Sequence, residues 1–96
     1  MITCNSIKET LAKHKLYLNH KYHISYLAVF GSISRGDNND KSDIDILVDF
    51  TEPIGIDFID LADELENILK HKVDLVTRNA IKPKYFAQIK DELQYV

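Results

Sequence analysis

Two aspartates one residue apart, Asp43 and Asp45, open the run Ser42-Asp43-Ile44-Asp45-Ile46-Leu47-Val48. In an extended strand alternate residues point to the same side, so these carboxylates share one face while Ile44, Ile46 and Val48 share the other. Carboxylates side by side at the mouth of an apolar strand repel each other and resist burial. A hard divalent cation such as Mg2+ relieves both penalties, and its usual enzyme setting is one or two protein carboxylates completed by substrate phosphates. Taken alone, Asp-x-Asp is equally the wet face of an edge strand. It gains weight from its company: Gly31-Ser32 upstream, Arg35-Gly36 in the intervening stretch, and Asp74 inside a later apolar run.

Each companion has a chemical use. Gly31 permits a tight turn and the close approach of a ligand, and Ser32 offers a hydroxyl and an amide that hold a phosphate without net basic charge. Asp74 has two roles open to it: a third carboxylate that completes a second metal position or takes a proton from an incoming hydroxyl, or a strand-edge charge paired with Lys72. Arg35 is open in the same way, between a phosphate contact and pairing with Asp37, Asp40 or a backbone carbonyl. His20 and His23 lie three apart, but no cysteine or carboxylate completes a zinc set with them, and a surface role is expected.

The elements that must position these groups follow from periodicity. Ser6-Ile7-Lys8-Glu9 has the form of a capping box and predicts a helix to about Leu18, with Ile7, Leu11 and Leu18 near one face. Asn19 to Lys21 are expected to end it. Ile24 to Phe30 read as strand one, near the centre of the sheet. Ser32 is expected to cap one helical turn through Ser34 and Arg35, and Gly36 to Asp40 form a loop. Ile44 to Phe50 read as strand two, ended by Pro53 and Gly55. Phe58, Leu61, Ala62, Leu65, Ile68 and Leu69 then recur at helical spacing, with Asp57 as the expected cap. Val73 to Val76 form a short third strand. Pro83 suits an early position in a last helix whose Phe86, Ile89 and Leu93 face the body.

Strand, helix, strand of this length is a crossover that joins parallel strands, which brings the start of strand three, with Asp74, beside the start of strand two, with Asp43 and Asp45. The shorter link from strand one suits an antiparallel neighbour, so Gly31-Ser32 leaves strand one at the same edge. The fold class expected is therefore α/β (α+β in some schemes): a small mixed three-stranded sheet flanked by helices.

With 96 residues, residues 1–96 are expected to form one domain with a modest core. The net charge of −3 gives no electrostatic case for wrapping nucleic acid or for an anionic membrane, so any polyphosphate must be held by local donors and metal. The single cysteine, Cys4, forms no intrachain disulfide and fits a reducing compartment. No apolar run approaches the roughly 20 residues of a membrane span. A cytoplasmic location is expected, with self-association into a homo-oligomer left open.

Gly31-Ser32, ten residues, then Asp43-Ile44-Asp45 resembles the Gly-Ser-x10-Asp-x-Asp motif of the nucleotidyltransferases related to DNA polymerase beta. The longer pattern FGSISRG, SDIDILVDF and LADELENILKHKVDLVT is similar to that of the minimal nucleotidyltransferases, the MntA-like antitoxins of prokaryotic toxin-antitoxin pairs. The likeness runs from about Tyr22 through the final helix. It implies Asp43 and Asp45 as metal ligands, Asp74 as the third carboxylate, and Gly31 and Ser32 as the phosphate seat. Arg35 and Gly36 match the family's Arg-Gly pair. The resemblance further implies two Mg2+ ions in the active complex, ATP as substrate, and transfer of AMP to a tyrosine hydroxyl of a HEPN-domain toxin.

Three functions follow for comparison. The first is that Mg-dependent transfer onto a partner protein. The second is a non-catalytic antitoxin that neutralises its partner by covering it. The third, transfer onto a small molecule, is disfavoured because a chain of this length has no room for a domain that grips such an acceptor. The acidic triplet favours catalysis, since the repulsion it builds into the free protein serves no purpose in a module that only binds.

Overall fold

The structure, a computed structural model, describes residues 2–96. Helix α1 (Cys4–Tyr22) leads into strand β1 (Ile24–Phe30), which runs directly into the single-turn helix α2 (Gly31–Arg35). Strand β2 (Ile44–Phe50), helix α3 (Asp57–Leu69) and strand β3 (Val73–Thr77) make the crossover. A 3-10 turn (Arg78–Ala80), helix α4 (Pro83–Ile89), a second 3-10 turn (Lys90–Glu92) and strand β4 (Gln94–Tyr95) complete the chain.

Among the described residues the sheet has four strands in the order β3-β2-β1-β4, not three. As expected, β2 and β3 are parallel and β1 is antiparallel to β2. The added strand pairs antiparallel with β1, Ala28 opposite Tyr95 and Val29 opposite Gln94, and the Tyr26 and Tyr95 rings meet edge-on with centroids 5.5 Å apart. A two-residue strand, both residues exposed, carries no alternation to detect. Only its partner defines it.

Both faces of the sheet are covered, which is why its central strands read as continuous apolar runs. On one face Leu27, Val29, Ile44, Ile46 and Val48 pack against Ile7, Leu11 and Leu18 of α1 and Leu61 and Leu65 of α3. On the other, Ala28, Phe30 and Leu47 pack against Ile81 and Ile89, with Phe86 and Leu93 alongside. The chain beyond Ile89 tightens into its 3-10 turn, so Leu93 reaches this cluster from outside α4 rather than from its last turn.

Local starts and stops differ from the sequence reading in four places. In α2 the N-cap is Phe30, with no side-chain cap bond, and Ser32 is already helical rather than the cap, because Gly31 turns the chain into the helix one residue earlier. The N-cap of α1 is Thr3, whose hydroxyl accepts from the Ser6 amide at 3.1 Å while Ser6 Oγ accepts from the Thr3 amide at 3.2 Å. Ser6 is thus the third helical residue and takes the reciprocal part assigned to a longer acid. The helix also passes through Asn19–Lys21, because Tyr22 is buried and its hydroxyl donates to Glu64 at 2.6 Å; His23, with φ of 56°, ends it. In α3 the cap is Ile56, with Asp57 already helical, and its side chain faces the positive end of the helix dipole without closing a cap bond.

Candidate active site

Asp45 stands directly opposite Asp74 in the parallel register of β2 and β3, and opposite Phe30 in the antiparallel register of β1. Cross-strand neighbours share a face, so Asp45 and Asp74 project to the same side, the side of α4. Asp43 lies two residues before Asp45, just outside β2. The β1-to-α2 junction brings Gly31 and Ser32 to that same edge. The corner anticipated from topology is therefore assembled.

Gly31 has φ of 78°, a region that side chains rarely adopt, and a Cβ there would collide with the Asp45 carboxylate. Glycine is required by both the turn and this approach. Asp45 pays electrically for its place: burial, then Asp74, then Asp43 push its carboxyl up from 3.8 to about 6, with Glu92 adding to the push and Arg35 opposing it. Asp74 is exposed and takes no part in the ion pairs among the described residues. The pairing with Lys72 left open by the sequence does not form.

Arg35 is engaged on two sides. Its Nε donates to Asp37 Oδ2 at 3.1 Å, one of the pairings open to it, and its Nη1 donates to Glu92 Oε2 at 3.2 Å. The Gly31 amide also donates to Glu92, at 2.9 Å, and the Ser34 hydroxyl donates to the Glu92 carbonyl. Glu92 had no sequence signal. It sits in a short acidic stretch near the C-terminus with no apolar period, and only the fold brings it across the sheet.

A cleft of about 380 Å3 opens at this corner, lined by Phe30, Gly31, Ser32, Arg35, Asp45, Tyr85, Gln88, Ile89 and Glu92. Asp43 and Asp74 stand outside its lining. Tyr85 and Gln88, exposed on α4, were likewise not singled out from sequence, since an exposed tyrosine and glutamine on a helix have no distinguishing pattern. Among the described residues no three His, Cys, Asp or Glu side chains gather closely enough to enclose a cation unaided. The donor set still fits Mg2+: hard oxygen donors on adjoining strands, one with its acidity weakened by burial and by its neighbours' charge, are what a divalent ion completed by phosphate oxygens uses.

The comparisons agree with this geometry. Residues 11–96 match the family model described as a nucleotidyltransferase domain. A Methanocaldococcus jannaschii protein, provisionally named a protein adenylyltransferase, is 43% identical over 98 residues, covering 100% of both chains. The protein adenylyltransferase MntA of Thermococcus cleftensis is 38% identical over 97 residues, covering 100% of this chain and 98% of its own. Among solved structures, one provisionally described as a minimal nucleotidyltransferase superposes with a TM-score of 0.75 at 30% identity, covering 92% of this chain and 93% of the other. A toxin-antitoxin crystal structure with AMP-PNP gives a TM-score of 0.70 at 26% identity, covering 86% and 69%. The chain belongs to the nucleotidyltransferase family and is an enzyme of that class. Within it, the chain is similar to the minimal, MntA-like members, and its mixed sheet flanked by helices matches the minimal nucleotidyltransferase fold.

Proposed function

We propose that this chain is a Mg2+-dependent protein adenylyltransferase that moves AMP from ATP to a tyrosine hydroxyl of a partner HEPN-type toxin and so acts as its antitoxin. The observation that carries the reading is the in-register pair Asp45 and Asp74 beside Gly31 and Ser32. Support for the nucleotide and the partner comes from relatives named protein adenylyltransferase and from the toxin-antitoxin structure with AMP-PNP.

Asp43, Asp45 and Asp74 would hold the metal, which when bound neutralises phosphate charge and makes the acceptor oxygen more acidic. Gly31, lacking a side chain, lets phosphate oxygens come close to the backbone, while the Ser32 hydroxyl and amide and the Arg35 guanidinium donate to them. An Asp74 carboxylate oxygen accepts the proton as the tyrosine oxygen bonds to the alpha-phosphorus. The bond from that phosphorus to the oxygen bridging to the beta-phosphate breaks, and pyrophosphate leaves with the electron pair. Residues 1–96 act here as one domain, and the acceptor hydroxyl arrives on the partner.

Incubation with alpha-labelled ATP, Mg2+ and the protein encoded beside it tests this reading. Label is expected on a partner tyrosine, falling at least about 100-fold with Asp43→Asn or Asp45→Asn, the scale of losing a group that acts on transition-state charge. A tight complex without label transfer would instead establish the binding-only antitoxin.

A further inference from the structure

Arg35, assigned above to nucleotide phosphate, and the Gly31 amide at the same seat already hold an anion, and it belongs to the protein. Glu92 Oε1 accepts from the Gly31 amide at 2.9 Å, and the Arg35 guanidinium lies 3.3 Å from Oε1 and 3.2 Å from Oε2. The Glu92 side chain is only 18% exposed. Its backbone is fastened separately, because the Ser34 hydroxyl donates to its carbonyl. These contacts hold the turn Lys90–Glu92 against the mouth of the cleft, between α4 and β4. Glu92 also adds to the negative charge around Asp45. A carboxylate that shares an amide and a guanidinium occupies them as a phosphate oxygen would.

We infer that Glu92 is an internal competitor for the nucleotide, a carboxylate seated on Gly31 and Arg35 that the incoming phosphates must displace. The inference rests on the nucleotide site proposed above and adds to it a residue that sets the affinity of that site. Displacement trades one carboxylate for several phosphate oxygens on the same donors, and it removes a charge that would repel them. The Ser34 bond to the Glu92 carbonyl holds the backbone of the 3-10 turn in place, and so keeps the carboxylate at its seat. In a site whose open form is a minority, apparent affinity is reduced by the open fraction. Removing the charge of Glu92 therefore raises the affinity for nucleotide, whereas a clamp that merely shaped Gly31 and Arg35 for phosphate would, once cut, lower it.

The test is calorimetric titration of the full chain with a non-hydrolysable ATP analogue and Mg2+, for the unaltered protein, Glu92→Gln and Ser34→Ala. Glu92→Gln is expected to bind about ten-fold more tightly, as for a site open in about a tenth of molecules. Ser34→Ala frees the backbone of the turn but keeps the carboxylate, so it is expected to gain affinity by a smaller factor, and it serves on its own if the first variant fails to fold. The Gly31 amide resonance supplies a second reading: it is expected to shift in Glu92→Gln without ligand, and in the unaltered protein when the analogue binds. Equal or weaker binding by the variants, with the unaltered protein binding, overturns the competitor and leaves the nucleotide site standing. No binding by any of the three overturns both.

Discussion

Asp45 is the residue at which the site's purpose conflicts with its stability. Its carboxyl is half-buried, faces Asp74 across the strand pair, and has Gly31 as close to it as a residue without a side chain can come. With its pKa raised from 3.8 to about 6, the native chain binds this proton more tightly than the unfolded chain does. Stability of the metal-free protein therefore falls as pH rises from about 4 through about 6, and levels off above that. Replacing Asp45 by Asn removes this decline and stabilises the metal-free protein at pH 7 by about 1 kcal/mol, allowing for solvent screening of a group this exposed. Denaturant unfolding of both proteins with chelator at pH 4.5 and pH 7, buffers spanning roughly that window, checks it; a gap that does not widen toward pH 7 refutes the assignment of strain to Asp45.

The central strands and the two long helices are held by one apolar cluster, and α3 sets the site through it. Leu61 and Leu65 are fully buried against the sheet, and α3 is the crossover that makes β2 and β3 parallel. A second tie is polar: Glu64 accepts from Tyr17 at 2.7 Å and from Tyr22 at 2.6 Å, joining α3 to α1. Burial alone would raise the Glu64 carboxyl, but these donors and Lys21 bring it below its ordinary value. The apolar tie is the larger, since truncating a fully buried leucine leaves a cavity as well as losing transfer energy. Leu65→Ala is expected to cost about 2–5 kcal/mol in urea unfolding. A loss below about 1 kcal/mol would mean that α3 can slide to refill the space, and with it that the Asp45–Asp74 register is not fixed by this packing.

At the scale of the whole molecule, charge and shape divide the labour. With a net charge of −3 the protein has no general attraction for polyphosphate, so affinity has to come from the local donors and from a cation shared with the phosphates. Among the described residues no helix is long and apolar enough to cross a membrane. Mg2+ and a non-hydrolysable ATP analogue are therefore expected to act together in thermal unfolding. At ten times Kd the pair stabilises by about 1.4 kcal/mol, or roughly 6–11 °C for a domain of this size. Either component alone gives much less, and Asp43→Asn is expected to erase the joint effect. Equal shifts with and without Mg2+ would mean that the acids do not share an ion with the nucleotide.

By itself the amino-acid sequence determined whatever depends on neighbours along the chain. The 3.6-residue spacing in Phe58–Leu69, the apolar runs at Ile24–Phe30 and Ile44–Phe50 with the short link between them, and the crossover length from Phe50 to Val73 were enough to join Asp43, Asp45, Asp74 and Gly31 at one corner, because each constraint is local or a simple count. The cap at Thr3 went unread because a short serine can replace the expected acid when the backbone positions it. Strand β4 and the seating of Glu92 were decided only in the tertiary structure. Gln94-Tyr95 pair with β1, and Glu92 meets Gly31, 61 residues away, through contacts whose energy comes from the distant partner rather than from any local preference of the segment itself.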